Sequence, residues 1–459
     1  MGPENLDTSQ IATEIRSALH GRIAGIGLTR QRPAFLRLSR KGLLHARGLA
    51  PNPVAMGATQ ADIAILGGGL AGGLVALALA RWRPDLSVVV FERDAALGGN
   101  HVWSFFATDL SADGEELVAP LVDAAWAGYD VRFPDYVRTL VTPYRATTSH
   151  RLDRALRQAL PAQALVTGAH VVACTPTGVT LSDGREFAAG AVIDARGIHD
   201  LPSLTGGWQK FLGQRLKLAR PHRLARPIVM DATVAQHDGY RFVYCLPFAS
   251  DEVFVEDTYY ADDPALDRDL LAQRIAAYAR TMGWEVLGVV AEEQGVLPVV
   301  AGGDFDRLRG AAGHRAALAG TRAGLFHPLT SYSLPDALRF AVALARWPGL
   351  GTDNISTFCE QYGRSHWNKG WYYRMLSAML FAAAQPGDRY RVLQRFYRLD
   401  RRLIERFYAG QSSLADKARI LAGRPPVPIG AALGVLTGLG ARANQLDQGQ
   451  LDQVSGGIS

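Results

Sequence analysis

The period of the apolar positions changes repeatedly along this chain, and each change marks an element. A short apolar run at Ile63–Leu66 leads into Gly67-Gly68-Gly69-Leu70-Ala71-Gly72, and a helix-compatible run follows to Arg81. This is the pattern of strand, tight turn and helix. A second β-branched run, Val88–Phe91, ends in Glu92. Alternation returns at Tyr136–Val141 and Tyr144–Ser149, and gives way to an amphipathic helical pattern from His150 to Leu156 with Ser149 as the expected N-cap. Residues 164–187 carry short β patterns around an Asp183-Gly184 hairpin signal, and Val192–Gly197 reads as a buried strand ending in a turn. From 206 to 318 the pattern predicts strands at Phe242–Pro247, Val253–Tyr260 and Val286–Val290 and a helix from Pro264 to Met282. Gly320–Pro335 is a glycine-rich entry into a helix over Asp336–Trp347, and helices are expected at Trp367–Ala384, Tyr390–Tyr408 and Leu414–Leu421.

The first of these patterns has a chemical meaning. Gly67 permits the turn, Gly69 lets a pyrophosphate approach the backbone, and Gly72 lets the helix pack closely on the strand. The N-terminus of that helix presents N–H groups to phosphates. Glu92, twenty residues beyond Gly72, is placed to accept a ribose hydroxyl. The rival reading takes Ile63–Ala80 as an apolar stretch long enough to span a bilayer. Three consecutive glycines inside such a helix would cost about 1 kcal/mol each relative to alanine, and the second strand and Glu92 would go unexplained. The paired glycines of Leu97-Gly98-Gly99-Asn100-His101-Val102-Trp103-Ser104-Phe105 suggest a loop passing close to the nucleotide.

Composition narrows the picture. With 459 residues the chain holds more than one subdomain. The net charge of +6 is concentrated in residues 1–55, which hold eight basic and three acidic side chains, so no basic stripe on the folded part supports a nucleic-acid role. That Arg-rich, Gly-rich segment, taken to residue 57, reads as a disordered extension, with an upstream start or a targeting segment as the alternatives. Three cysteines, Cys174, Cys245 and Cys359, have no metal-ligand spacing. Two adjacent carboxylates, Glu256 and Asp257, lie on an otherwise apolar strand. Successive strand residues point to opposite faces, so only one of them can enter a given cavity.

GGGLAGGLVALAL, GGNHVWSF, VEDTYY, GLFHPLTSYSLP, WNKGWYYRML and RFYAGQSSLADKARILAGRPPVP, in this order over residues 60–430, resemble the bacterial lycopene β-cyclases. The resemblance implies an α/β fold: a Rossmann-type FAD-binding domain of the aromatic hydroxylase and geranylgeranyl reductase kind over 58–205 and 319–350, an inserted antiparallel-sheet substrate domain over 206–318, and a C-terminal helical, membrane-proximal region over 351–459. It implies that Gly67, Gly69, Gly72 and Glu92 hold the ADP half of FAD, that Gly99, Asn100 and Gly197 belong to the same site, and that Gly324, Ser331, Tyr332 and Ser333 lie by the ribityl chain and the flavin ring. Ser331 departs from the glycine many members carry, and needs a backbone that glycine enters more easily.

The implied reaction is the redox-neutral closure of both ψ ends of lycopene, by way of γ-carotene, to β-carotene. Glu256 is the implied acid, with Asp257 beside it as the other candidate and its pKa raised by an apolar tunnel. Reduced FAD, recharged by NAD(P)H, and aromatic faces such as Trp103, Trp371 or Tyr372 are expected to steady the carbocation, with Phe105 as a further substrate-binding candidate and core packing as the alternative for Trp103 and Phe105. A unit negative charge about 4 Å away is worth roughly 4 kcal/mol at an effective dielectric near 20, about a thousandfold in rate. Because lycopene dissolves in membranes, a peripheral or monotopic position on the cytoplasmic face is expected, through the arginine- and aromatic-rich Arg389–Tyr408 and the apolar Ile429–Leu439. The alternatives are a redox flavoprotein, either a prenyl reductase or a monooxygenase, and a carrier of carotenoid or flavin without turnover.

Overall fold

The computed structural model describes residues 60–422, apart from 238, 314, 315 and 351, together with 444–446. The extension over 1–57 and the segment Ile429–Leu439 lie outside the described residues. Strand β1 (Ala61–Leu66) turns at Gly67 into helix α1 (Leu70–Trp82), and the chain returns in β2 (Val88–Phe91), parallel to β1 with Ile63 opposite Val88. The helix owes its apolar character to burial on all sides rather than to lipid, since Gly72 through Leu79 are all buried. Among the described residues no helix is long and apolar enough to cross a membrane. The next strand, β3 (Val102–Phe106), belongs to a three-stranded sheet with Tyr144–Thr148 and Ala124–Trp126. β4 (Glu186–Asp194) runs parallel to β1 on its other side and is fed by the Asp183-Gly184 hairpin, where Gly184 has φ +84°. These strands belong to a seven-stranded sheet.

A second sheet of eight strands begins with β5 (Leu204–Leu218) and continues with β6 (Tyr240–Ala249), β7 (Glu252–Ala261) and β8 (Val286–Gly303). Their spatial order is β8, β5, β7, β6, followed by Ile228–Asp231, Tyr129–Phe133 and Tyr136–Leu140, so two strands that precede β4 in sequence join this sheet. The sequence pattern predicts only the first five residues of β8. The strand continues through Pro298 because it lies at the sheet edge, where a residue without an N–H need not break the ladder. One face of the sheet is covered by α2 (Arg268–Thr281), whose Leu271, Ile275 and Tyr278 pack with Val253 and Val255 of β7 and Leu212 and Leu216 of β5.

The other face meets the C-terminal helices. Pro335 lies in the first turn of α3 (Leu334–Ala345), as the sequence predicts. Phe381 of α4 (Trp371–Ala383) rests on β5 at Gly207, where a Cβ would stand 2.3 Å from its ring. The expected helix over 390–408 is two helices, Arg389–Phe396 and Arg401–Tyr408, the second capped by the Asp400 carboxylate. Arg389, read from the sequence as a membrane-facing cation, is 1 % exposed, pairs with Asp262 at 3.2 Å and lies over the Phe381 ring. An interfacial role for this segment therefore loses its leading arginine to an internal ion pair. The cap at 149 also moves. The Thr148 hydroxyl accepts the Arg151 N–H, leaving Ser149 to hold the preceding loop.

Candidate active site

The nucleotide cradle follows from three glycines with three different constraints. Gly67 has φ +92°, a Cβ on Gly72 would stand 2.0 Å from the Gly67 carbonyl oxygen, and nothing lies within 4 Å of a Cβ on Gly69. The first is a turn requirement, the second a helix-on-strand contact, and the third an open approach to the backbone. No side chain caps α1 at Gly69, so its N-terminal dipole faces that opening. The residues thus fit a dinucleotide. Glu92 is turned onto the loop, its Oε2 accepting the Gly68 N–H at 2.7 Å and its Oε1 the Asp94 N–H at 3.1 Å.

The second glycine loop leans on the first. The Gly98 N–H donates to the Gly68 carbonyl at 2.9 Å, and Gly98 and Gly99 both have positive φ. The Ser149 hydroxyl donates to the Gly98 carbonyl and accepts the His101 N–H at 2.7 Å. Asn100 Nδ2 donates to the Glu292 carbonyl of β8 at 2.7 Å, so this loop ties the nucleotide turn to the second sheet. Gly197 faces open space with φ +83°, and Gly324 closes a short turn with φ +71°. Gly320, which was not a candidate, packs on the start of α1, where its Cβ would stand 2.5 Å from that of Ala71. Ser331 does adopt the left-handed backbone, at φ +55°, and its hydroxyl donates to the Pro298 carbonyl at 2.6 Å. Tyr332 donates to Asp109 Oδ2 at 3.0 Å, and Ser333 precedes α3 without capping it.

The two acids of β7 part company. Asp257 is fully buried on the face covered by α2, where Arg241 Nε reaches Oδ1 at 2.8 Å and Nη2 reaches Oδ2 at 2.5 Å. Strand alternation turns Asp257 away from Glu256, as the sequence predicts for adjacent strand residues, and a bidentate guanidinium holds both its oxygens. Glu256 points to the opposite face with Phe254 and Tyr260, and Thr258 donates to its Oε1. Its side chain is partly buried beside the apolar cluster on that face. Burial, reinforced by the charge of Glu293, pushes its carboxyl up to about 8.

Around this acid the structure assembles groups that the sequence did not single out. Tyr244 is opposite Glu256 on β6, and its hydroxyl meets those of Ser104 and Tyr144. Asp109 is buried beneath Tyr332, and burial lifts its carboxyl to about 7. On β3 it is Ser104 that joins this cluster, whereas Trp103 and Phe105, on the alternate face, pack on the core of the first sheet, with Phe105 fully buried there. Of the two readings open for these rings, core packing describes Phe105, while Trp103 is only partly buried against the same core. The ring contacts of Trp371 and Tyr372 are to each other, to Tyr373 and to Lys417, and the Tyr372 hydroxyl donates to the Lys417 carbonyl. They are not brought together with Glu256 by any of these contacts. His327 of the GLFHPL motif is packed against Tyr373 and Phe407, and burial lowers its pKa to about 4, so it serves the core as a neutral ring.

A glycine-turn nucleotide cradle, joined by a loop to an antiparallel sheet, defines an α/β dinucleotide-binding architecture. In keeping with this, the fold is similar to the crystal structure of a geranylgeranyl bacteriochlorophyll reductase-like protein from Thermoplasma acidophilum, with a TM-score of 0.52 and 11% identity over 83% of this chain and 99% of that one. It is also similar to the flavin-dependent brominase Bmp2, with a TM-score of 0.50 and 15% identity over 76% of this chain and 93% of that one. Within this architecture the chain belongs to the lycopene cyclase family, whose model, described as Lycopene cyclase protein, matches residues 62–433. It is 45% identical over 371 residues to the lycopene beta-cyclase of Pseudescherichia vulneris, covering 81% of this chain and 96% of that protein. It is 41% identical over 372 residues to that of Pantoea ananas, covering 81% and 97%. The chloroplastic lycopene beta cyclase of Arabidopsis thaliana is 27% identical over 344 residues, covering 68% and 65%.

Proposed function

We propose that this chain is a lycopene β-cyclase that closes both ψ ends of lycopene, by way of γ-carotene, to β-carotene without net redox change. The identity to the P. vulneris and Pantoea ananas enzymes across nearly their whole lengths supports the activity. The observation that carries the mechanism is Glu256, a carboxyl held neutral at pH 7 by its surroundings on the face of the sheet that also carries Phe254 and Tyr260. It gives its proton to a terminal alkene carbon. The ring carbon–carbon bond then forms at the tertiary cation, and loss of a proton from a neighbouring carbon restores the alkene, so protons and electrons balance. Asp257 takes no part, because Arg241 occupies both of its oxygens. The hydroxyls of Tyr144 and Tyr244 stay protonated, since burial raises them far above neutrality, and their rings offer π faces without adding negative charge.

Gly67, Gly69, Gly72 and Glu92, the Gly98-Gly99-Asn100 loop, Gly197, Gly324 and Ser331–Ser333 would hold FAD. When bound in reduced form, with NAD(P)H as its external reductant, it would supply negative charge to the developing cation. A hydrocarbon substrate requires contact with lipid, and a peripheral or monotopic position on the cytoplasmic membrane face is part of the proposal. The apolar edge of β8, where Leu287 is 66% and Val290 56% exposed, supports that contact better than the arginine helices do.

The test is Glu256→Gln in a lycopene-accumulating host, read by product chromatography: lycopene should persist while the purified variant keeps its flavin. With wild-type protein and reduced FAD in deuterated water under anaerobic conditions, cyclisation yields rings carrying deuterium with no reductant consumed. Consumption of one reducing equivalent per product would mean a reductase or monooxygenase instead, and no turnover would mean a carrier.

A further inference from the structure

The register of the second sheet aligns four residues on one rung: Glu293 on β8, Gly213 on β5, Glu256 on β7 and Tyr244 on β6. Residues directly opposite in a ladder project to the same face. With strands about 4.8 Å apart, the two glutamates start roughly 10 Å from each other, and the residue between them has no side chain. The ring of Phe254 occupies that gap, where a Cβ on Gly213 would meet it at 2.2 Å. The medium between the two acids is therefore apolar, and a charge on one is felt at the other.

Glu293 is held from the opposite side. Its side chain is 5% exposed, Oε2 accepts the Val102 N–H at 2.7 Å, and His101 Nδ1 lies 3.7 Å from the same oxygen. Both partners come from the end of the glycine loop that leans on the nucleotide turn. Among the described residues Glu256 receives no such backbone N–H, only the Thr258 hydroxyl. The backbone N–H therefore fixes the position of the Glu293 carboxylate.

Resting on the reading of Glu256 as proton donor, we propose that Glu293 is its positioning residue, a buried carboxylate that seats the Gly98–Val102 loop and keeps a fixed negative charge on the donor's rung. The other groups around Glu256 leave this role open. Thr258 and Tyr244 bear hydroxyls, Ser104 and Tyr144 lie behind Tyr244, and Asp257 on the far face is neutralised by Arg241. The upward shift of the Glu256 carboxyl, to which Glu293 is the largest contributor after burial, is in keeping with it.

Glu293→Gln separates the two tasks, since an amide oxygen still accepts the Val102 N–H while the charge is gone. At roughly 10 Å and an effective dielectric near 20, the lost repulsion corresponds to about one pH unit. Flavin affinity should be unchanged, and the alkaline limb of the cyclisation rate should move about one unit lower. In flavin-free protein, the infrared band of a protonated carboxyl that Glu256→Gln removes should titrate about one unit lower as well. Glu293→Asp, which keeps the charge, should restore both midpoints toward wild type. Midpoints in Glu293→Gln that superimpose on wild type, or loss of flavin in that variant, would overturn the proposal. Cyclase activity retained in Glu256→Gln would instead remove the donor assignment, and the infrared titration would still report whether Glu293 acts on Glu256.

Discussion

Replacing Glu256 by glutamine should stabilise the fold, and more so as the pH rises. A glutamate ordinarily titrates near 4.5, and here the folded protein holds the proton up to about 8. Between those values the folded state binds a proton that the unfolded chain releases, so wild-type stability falls as pH rises through the window, and the full cost is present above it. At 1.36 kcal/mol per unit, a rise from 4.5 to about 8 sets a ceiling of about 5 kcal/mol above pH 8 and about 3 kcal/mol at pH 7. Glutamine has no such proton. Burying its amide costs about 1–3 kcal/mol if a hydrogen bond goes unmade, but that cost is independent of pH and leaves the slope intact. Guanidinium unfolding followed by tryptophan fluorescence at pH 5, 7 and 9, on both proteins at equal FAD, isolates the effect as a difference between the two curves. The variant should gain on wild type by several kcal/mol between pH 5 and 9. A difference that stays flat over that range would refute the claim that Glu256 is held neutral by its surroundings.

Asp257→Asn should behave oppositely, losing about 3–5 kcal/mol because it strands the buried Arg241 guanidinium. Urea unfolding measures this, and an Asp257→Asn protein of wild-type stability without cyclase activity would show that the carboxylate acts in the chemistry after all. Gly72→Ala sets a Cβ 2.0 Å from the Gly67 carbonyl oxygen, a clash of backbone with backbone that no rotamer relieves. The purified variant should carry little or no flavin by absorbance, and wild-type flavin content would contradict the packing argument.

The features legible in the sequence are those decided within a few residues. The glycine turn and the Asp183-Gly184 hairpin are local steric matters found where the residues demanded them, whereas the left-handed backbone at Ser331 was legible only through the glycine that the resembled family carries there. That Glu256 and Asp257 must face opposite ways follows from strand geometry alone. What was illegible depends on partners distant in sequence. β5 carries Lys210, Gln214 and glycines whose reasons lie in other elements, such as Phe381 above Gly207 and Phe254 above Gly213, so its fifteen residues show no simple alternation. Arg389 looks like a surface cation until Asp262, far away in the chain, is brought to it. Glu293 gains its interest only from a register set by two successive strand pairings, 37 residues beyond Glu256. The choice between Trp103 and Ser104 at the acid's side required knowing which face of β3 the second sheet meets.

The two-sidedness of β7 offers a practical handle for engineering this protein. Positions 254, 258 and 260 share the face that carries Glu256, while 253, 255 and 257 belong to the helix-backed layer that secures the sheet. A library drawn from the even positions would explore which carotenes are accepted and how fast they are converted. One drawn from the odd positions would tune heat tolerance, so the two properties can be improved in separate rounds along a single ten-residue stretch.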